Sequence, residues 1–175
     1  MRQLIIDLSE LEMAFDSGRE LISYYLDIET GEVINISGEE RGLLENIYES
    51  YYDEQTQTLD WEAAFRKEQI PDWQREIMHE ADRIEEGFGS HFIAIPSEGS
   101  HEGYRDMEAF IVTVHNPRLQ EQLERAISGQ GAFRYFKDAL LDYPTERERW
   151  FQFKQDRLHQ RMLDWLEELG ITPYQ

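Results

Sequence analysis

The sequence predicts an α+β protein: mostly helical, with a small antiparallel sheet made of an N-terminal hairpin plus one further strand. Three observations carry that expectation. Leu21 to Ile28 and Val33 to Ile36 are β-rich runs joined by a short connection containing Gly31, which is a hairpin signal. Trp73, Ile77, Ala81, Ile84 and Phe88 recur at spacings of 4, 4, 3 and 4, a helical stripe. After Pro96 helix starts and stops follow one another with no strand pattern between them, so helices are segregated to the second half and a doubly wound parallel sheet is not expected.

Taken in order, Leu8, Leu11, Ala14 and Phe15 predict a short helix over 8–17, with Ser9 and Glu12 at capping-box spacing and Gly18 as its stop. In the hairpin, Gly31 supplies the positive φ of the turn, and Ile22, Tyr24, Leu26 and Ile28 share a face. Ser37 with Glu40 starts a helix over 38–51, carried by Leu43, Leu44, Ile47, Tyr48 and Tyr51. Asp53 to Asp60 reads as a loop, and Trp61, Ala64 and Phe65 as one or two helical turns. Pro71 suits the first position of the helix bearing the stripe, which Gly87 and Gly89 close. His91 to Ile95 is an apolar run stopped by Pro96, and reads as the third strand.

Pro96 to Gly103 is a loop by composition, followed by a helix through Met107, Phe110, Ile111 and Val114. Asn116-Pro117 restarts the helical pattern with an N-cap and a proline at the first position, and Gly129 ends it. Phe133, Phe136 and Leu140 share one face of the next short helix, which leaves Tyr135 outside. The last helix starts at Pro144, with Thr145 and Glu148 as a capping box. It runs to about Leu169, with Gly170 as its C-cap and Pro173 beyond.

With 40% hydrophobic and 13% aromatic residues, 175 residues suffice for one sizeable core, so a single folded domain over 1–175 is expected. The net charge of −20 repels phosphates and anionic lipid, which disfavours nucleic acid as a partner. The charge is uneven. Residues 1–125 hold 10 basic and 29 acidic residues, whereas residues 126–153 hold 4 of each and form a neutral island. The absence of cysteine excludes disulfides, thiolate metal sites and thiol nucleophiles. No apolar run is long enough for a signal peptide or a membrane span, so a cytoplasmic location is expected.

Chemistry concentrates in Ala126 to Phe153. Gly129-Gln130-Gly131 resembles the start of a dinucleotide fingerprint, but Arg134 stands where the third glycine belongs and no strand precedes it. The glycine turn could still present backbone N–H groups to an anion, helped by Arg134 and Lys137. The alternative is a packing turn, with Gly129 as a C-cap and Gly131 as a tight-turn residue. Phe133, Phe136, Trp150 and Phe151 read as core, and Tyr135 as surface. Five histidines lack metal-ligand spacing, no catalytic serine motif is present, and no cofactor is expected. Asp106 beside Arg105 is a carboxylate at a helix start, where the helix dipole stabilises it.

Tyr25-Leu26-Asp27, Thr30-Gly31-Glu32-Val33, Arg105-Asp106-Met107, Phe110-Ile111, Ala126-Ile127, Gly129, Gly131-Ala132-Phe133-Arg134, Phe136-Lys137-Asp138 and Trp150-Phe151 together resemble the bacterial Uncharacterised Protein Family 0158. The resemblance implies a single soluble bacterial domain and carries no activity or catalytic residues with it. It raises interest in Arg105, Asp106, Gly129, Gly131, Arg134, Lys137 and Trp150.

The expected function is a non-enzymatic protein-binding or regulatory module. It would use either its acidic face against a basic partner or the neutral aromatic and basic island. The alternative is an enzyme or ligand-binding domain for an anionic or phosphorylated group between Gly129 and Lys137. A nucleic-acid mimic, with aligned rows of carboxylates, is a third reading.

Overall fold

The computed structural model describes residues 1–18 and 21–174. The strands are Arg2–Ile5 (β1), Ile22–Asp27 (β2), Val33–Ser37 (β3), Tyr52–Asp53 (β4), Thr58–Leu59 (β5), Phe92–Ala94 (β6) and Ile171–Tyr174 (β7). The helices are Leu8–Asp16 (α1), Gly38–Tyr51 (α2), Trp61–Lys67 (α3), Asp72–Gly87 (α4), Ser100–Val112 (α5), Pro117–Ala126 (α6), Ala132–Leu140 (α7) and Pro144–Glu168 (α8). Helix makes up 60% of the described residues and the sheets are small, so the α+β class with a helical majority holds. The chain gathers into two compact units. One holds residues 21–96 with 4–7 and Tyr174, the other residues 1–3, 8–18 and 97–173.

In the first unit β2 pairs antiparallel with both β3 and β6, in the order β3-β2-β6, so His91–Ile95 does supply the third strand. The hairpin turn is locked by Asp27, whose buried carboxylate accepts the N–H groups of Glu29 at 2.8 Å and Thr30 at 3.2 Å. Gly31 has φ +87°, and a Cβ there would lie 2.2 Å from the Ile5 carbonyl oxygen. Only glycine meets both demands. Ser37 and Glu40 form the expected capping box of α2.

Tyr25, Ile34 and Ile36 of the sheet, Leu44 and Ile47 of α2, Phe65 of α3 and Met78, Ala81 and Ile84 of α4 close the core of this unit. The α4 stripe is covered only in its middle, where Ala81 and Ile84 are buried and Ile77 packs against the core. Its buried row is Met78, Ala81, Ile84 and Gly87, while Trp73 is 68% and Phe88 60% exposed. Trp73 lies in the first turn and Phe88 at the C-cap, so the core covers only the turns between them. At Gly87 a Cβ would meet the Phe92 ring at 2.7 Å. Residues 53–60, expected as a loop, form with Tyr52 the β4–β5 hairpin. Asp53 accepts the N–H groups of Gln55 and Thr56, and Gln57 takes the left-handed conformation usually left to glycine, with φ 54°.

In the second unit α1 packs along α8. Phe15 meets Trp165 edge to face at 5.5 Å, and Glu12 accepts from Gln155 at 2.9 Å and contacts His159 Nδ1 at 2.5 Å. Helix α5 begins at Ser100, earlier than composition suggests, because Glu102 reaches back to the Gly99 N–H at 3.0 Å. Hydrogen bonds from its own backbone N–H and from that of Gly99 hold the Glu102 carboxyl below the usual range. Asn116 caps α6 through the N–H groups of Arg118 and Leu119, as its sequence signal implies.

The capping box expected of Thr145 is not formed. Pro144 already occupies the first helical position, so Thr145 sits inside the first turn of α8. Gly170, with φ +71°, follows α8, and residues 171–174 then extend as β7, which forms a two-stranded sheet with β1. The core of this unit is aromatic. Phe110 contacts Phe136, Trp150 and Phe153 at ring distances of 6.2, 5.3 and 5.4 Å, with Arg149 stacked 4.4 Å over the Phe110 ring.

Candidate functional site

The site is built on the turn into α7. Gly131 has φ +77°, a left-handed value that reverses the chain after α6, and the Tyr135 ring lies over it. With Phe136 and Leu140 each only 1% exposed, the register of α7 is set. Phe133, Lys137 and Leu141 follow one another at four-residue spacing, and all three are exposed. At the start of α8, burial of Trp150 turns Arg147 and Phe151 outward, four residues apart, with the guanidinium 5.4 Å above the ring.

Between the two rows lies a groove of about 210 Å³ lined by Lys137, Asp138, Leu140, Leu141, Arg147, Trp150 and Phe151. Leu140 and Trp150 are buried; the rim is Lys137, Arg147, Leu141 and Phe151. Phe133 and Phe151, expected in the core, are 41% and 46% exposed. The reason is geometric. The helical face through Phe136 and Leu140 is already filled by Phe110 and Trp150, and Phe133 rests instead against Gly103 of α5, where a Cβ would lie 2.9 Å from its ring.

The residues singled out from the sequence scatter into different roles. Asp106 is fully buried. It accepts from Arg157 Nε at 2.5 Å and from both Nη atoms of Arg161 at 2.8 and 2.9 Å, and Arg161 also donates to Glu98. Burial works against the Arg161 charge, but the hydrogen bonds to Asp106 and Glu98 outweigh it and hold the guanidinium protonated well above its ordinary range. Asp106 thus ties α5 to α8. Arg105 is exposed on α5. Gly129 is exposed, has no positive φ, and a Cβ there would meet open space.

Arg134 faces Asp138 at 3.8 Å in an exposed pair of little energetic weight. Lys137 has no ion-pair partner among the described residues, and Arg147 rests on Phe151 with no carboxylate partner. Sequence reading missed Leu141 and Arg147. The signal for them is the four-residue spacing of Arg147 to Phe151 and the second leucine after Leu140.

A larger cavity, about 360 Å³, lies in the first unit and is lined by Arg41, Leu44, Glu45, Tyr48, Glu85 and Glu86. Arg41 donates to the Tyr25 hydroxyl at 2.5 Å, and the Tyr48 hydroxyl donates to Asp82. Burial, and then the hydrogen bond to Asp82, push the Tyr48 hydroxyl well above the ordinary tyrosine value of 10.0. It therefore stays a neutral donor at physiological pH. Because the folded value lies above the unfolded one, its contribution is complete below pH 10 and is lost as pH rises beyond that. Tyr48→Phe is expected to cost about 1 kcal/mol at pH 7. It should also flatten the alkaline loss of stability, as read by urea unfolding between pH 7 and 11. No group of three or more His, Asp or Glu able to hold a metal ion is present among the described residues. No helix among them is long and apolar enough to cross a membrane.

Fold and groove together define a mostly helical α+β protein with an apolar, cation-rimmed groove between two helices of its second half. The chain belongs to the Uncharacterised protein family UPF0158, whose model matches residues 67–174, and the family has no assigned activity. That match takes in the groove and Arg105, Asp106, Gly129, Gly131, Arg134 and Lys137, and leaves out the hairpin. The chain is also similar to the UPF0158 protein PA5073 of Pseudomonas aeruginosa, at 26% identity over 173 residues, covering 99% of this chain and 88% of that one. No solved structure matches it.

Proposed function

We propose that the protein is a protein-binding module that docks its partner in the α7–α8 groove. The observation behind this reading is the pair of large apolar side chains held outside on the groove rim: Leu141 and Phe151 are 61% and 46% exposed on a chain that carries 37 acidic residues. Clustered apolar surface on so charged a protein marks an interaction site, because it gains by leaving water only when a partner covers it. The stretch is also electrically neutral, so an approaching surface meets less repulsion there than over the acidic remainder.

A photo-cross-linking residue at position 141 is expected to give discrete adducts in cells, lost when Phe151→Asp is added. The same residue at Val112, which is 80% exposed on α5, should give none of these adducts. Identical adduct patterns from the two positions would overturn the proposal.

A further inference from the structure

Resting on that reading, we infer that the α7–α8 groove takes an acidic segment of a partner protein, one in which carboxylates flank a large apolar side chain. The first ground is volume. At about 210 Å³ the groove lies below the roughly 300–1,000 Å³ of small-molecule pockets, so it suits a single anchoring side chain of a longer segment. Leu140 and Trp150 form an apolar floor for that anchor, and Leu141 and Phe151 its walls.

The second ground is the charge left on the rim. With 37 acidic residues in the chain, Lys137 and Arg147 nevertheless line the groove with no carboxylate partner among the described residues. The one carboxylate in the lining, Asp138, faces Arg134 instead. Arg147 is held over the Phe151 ring at 5.4 Å. A guanidinium stacked by its face keeps its N–H edge available for two-point contact with a carboxylate. An incoming segment that covers the apolar walls would also strip water from these cations, and a basic or neutral segment would leave them buried without partners, which is costly.

The charge of the whole chain sets how this binding responds to salt. At about 0.01 M salt the screening length is about 30 Å, so the net charge of −20 repels an acidic segment before it reaches the rim. At about 0.15 M the length falls to about 8 Å and the local cations prevail. Affinity for the segment therefore rises from low to physiological salt, whereas affinity for a basic segment attracted by the acidic body falls over the same range.

The test is a selection of random peptides displayed on phage against the full chain at about 0.15 M salt, with Leu141→Asp as counter-target. Leu141 is 61% exposed, so the substitution leaves the core untouched. Peptides that bind the protein and not this variant are then measured by fluorescence polarisation against the protein and against Lys137→Glu with Arg147→Glu. The expected peptides carry Asp or Glu next to Phe, Leu or Trp, bind more tightly at 0.15 M than at 0.01 M salt, and lose about tenfold or more in affinity on the double charge reversal. Groove-dependent peptides that are basic, or indifferent to the charge reversal, overturn the acidic-partner inference and leave the docking role standing. Recovery of no peptide sensitive to Leu141→Asp overturns the docking role itself.

Discussion

Asp106→Ala is expected to lower the unfolding free energy by about 3 kcal/mol, a large part of the roughly 5–15 kcal/mol that holds a domain together. The carboxylate is fully buried and receives three hydrogen bonds from Arg157 and Arg161. Removing it leaves two guanidinium groups side by side with Glu98 as the remaining acid of the cluster. Breaking a buried pair by deleting one partner costs about 3–5 kcal/mol. The lower end applies because the Arg157 and Arg161 side chains are 40% and 27% exposed, so water can reach them once Asp106 is gone. Urea unfolding followed by circular dichroism measures the loss. A change below about 1 kcal/mol would mean the cluster is a solvated surface arrangement.

Phe110→Ala is expected to cost more, about 3–5 kcal/mol, through the cavity it leaves among Phe136, Trp150 and Phe153. The ring is wholly buried, and Arg149 would lose the aromatic face it covers. Phe133→Ala is the informative control. A sequence reading that puts Phe133 in the core demands a comparable loss, whereas a ring 41% exposed against Gly103 gives about 1 kcal/mol. Thermal and urea unfolding of the two variants side by side separate these expectations.

Local chemistry was the legible part of the fold. Asn116-Pro117, Ser37 with Glu40, and the Gly31 turn each announce themselves because a cap or a positive φ is a property of a few adjacent residues. What the sequence hid depends on partners far along the chain. The β1–β7 pairing joins residues about as distant as the chain allows, and neither four-residue strand carries a pattern of its own. The exposure of Trp73 and Phe88 follows from which turns of α4 the core covers, not from the apolar spacing itself.

The candidate site divides the same way. Gly131, Arg134 and Lys137 stand in a compact motif that the sequence displays, and of these Lys137 lines the groove. Leu141 and Arg147 are not displayed in this way, because they come together only once α8 folds back beside α7. Asp106 reads from the sequence as a charge at a helix start, whereas it lies in the middle of α5, and its burial under α8 arginines 51 and 55 residues away leaves no local trace.

The packing of α1 on α8 sets a problem of order in time. Glu12 and His159 are separated by 147 residues, so α1 leaves the ribosome long before the surface it packs against exists. At about 5–20 residues per second the wait is on the order of ten seconds. Throughout it Leu11, Ala14 and Phe15, all buried in the finished protein, lack the helix that covers them. Helix α8 therefore completes α1 only long after α1 is made, and Glu10, Glu12 and Asp16, lying among those apolar residues, give the waiting segment a negative charge that repels other acidic chains.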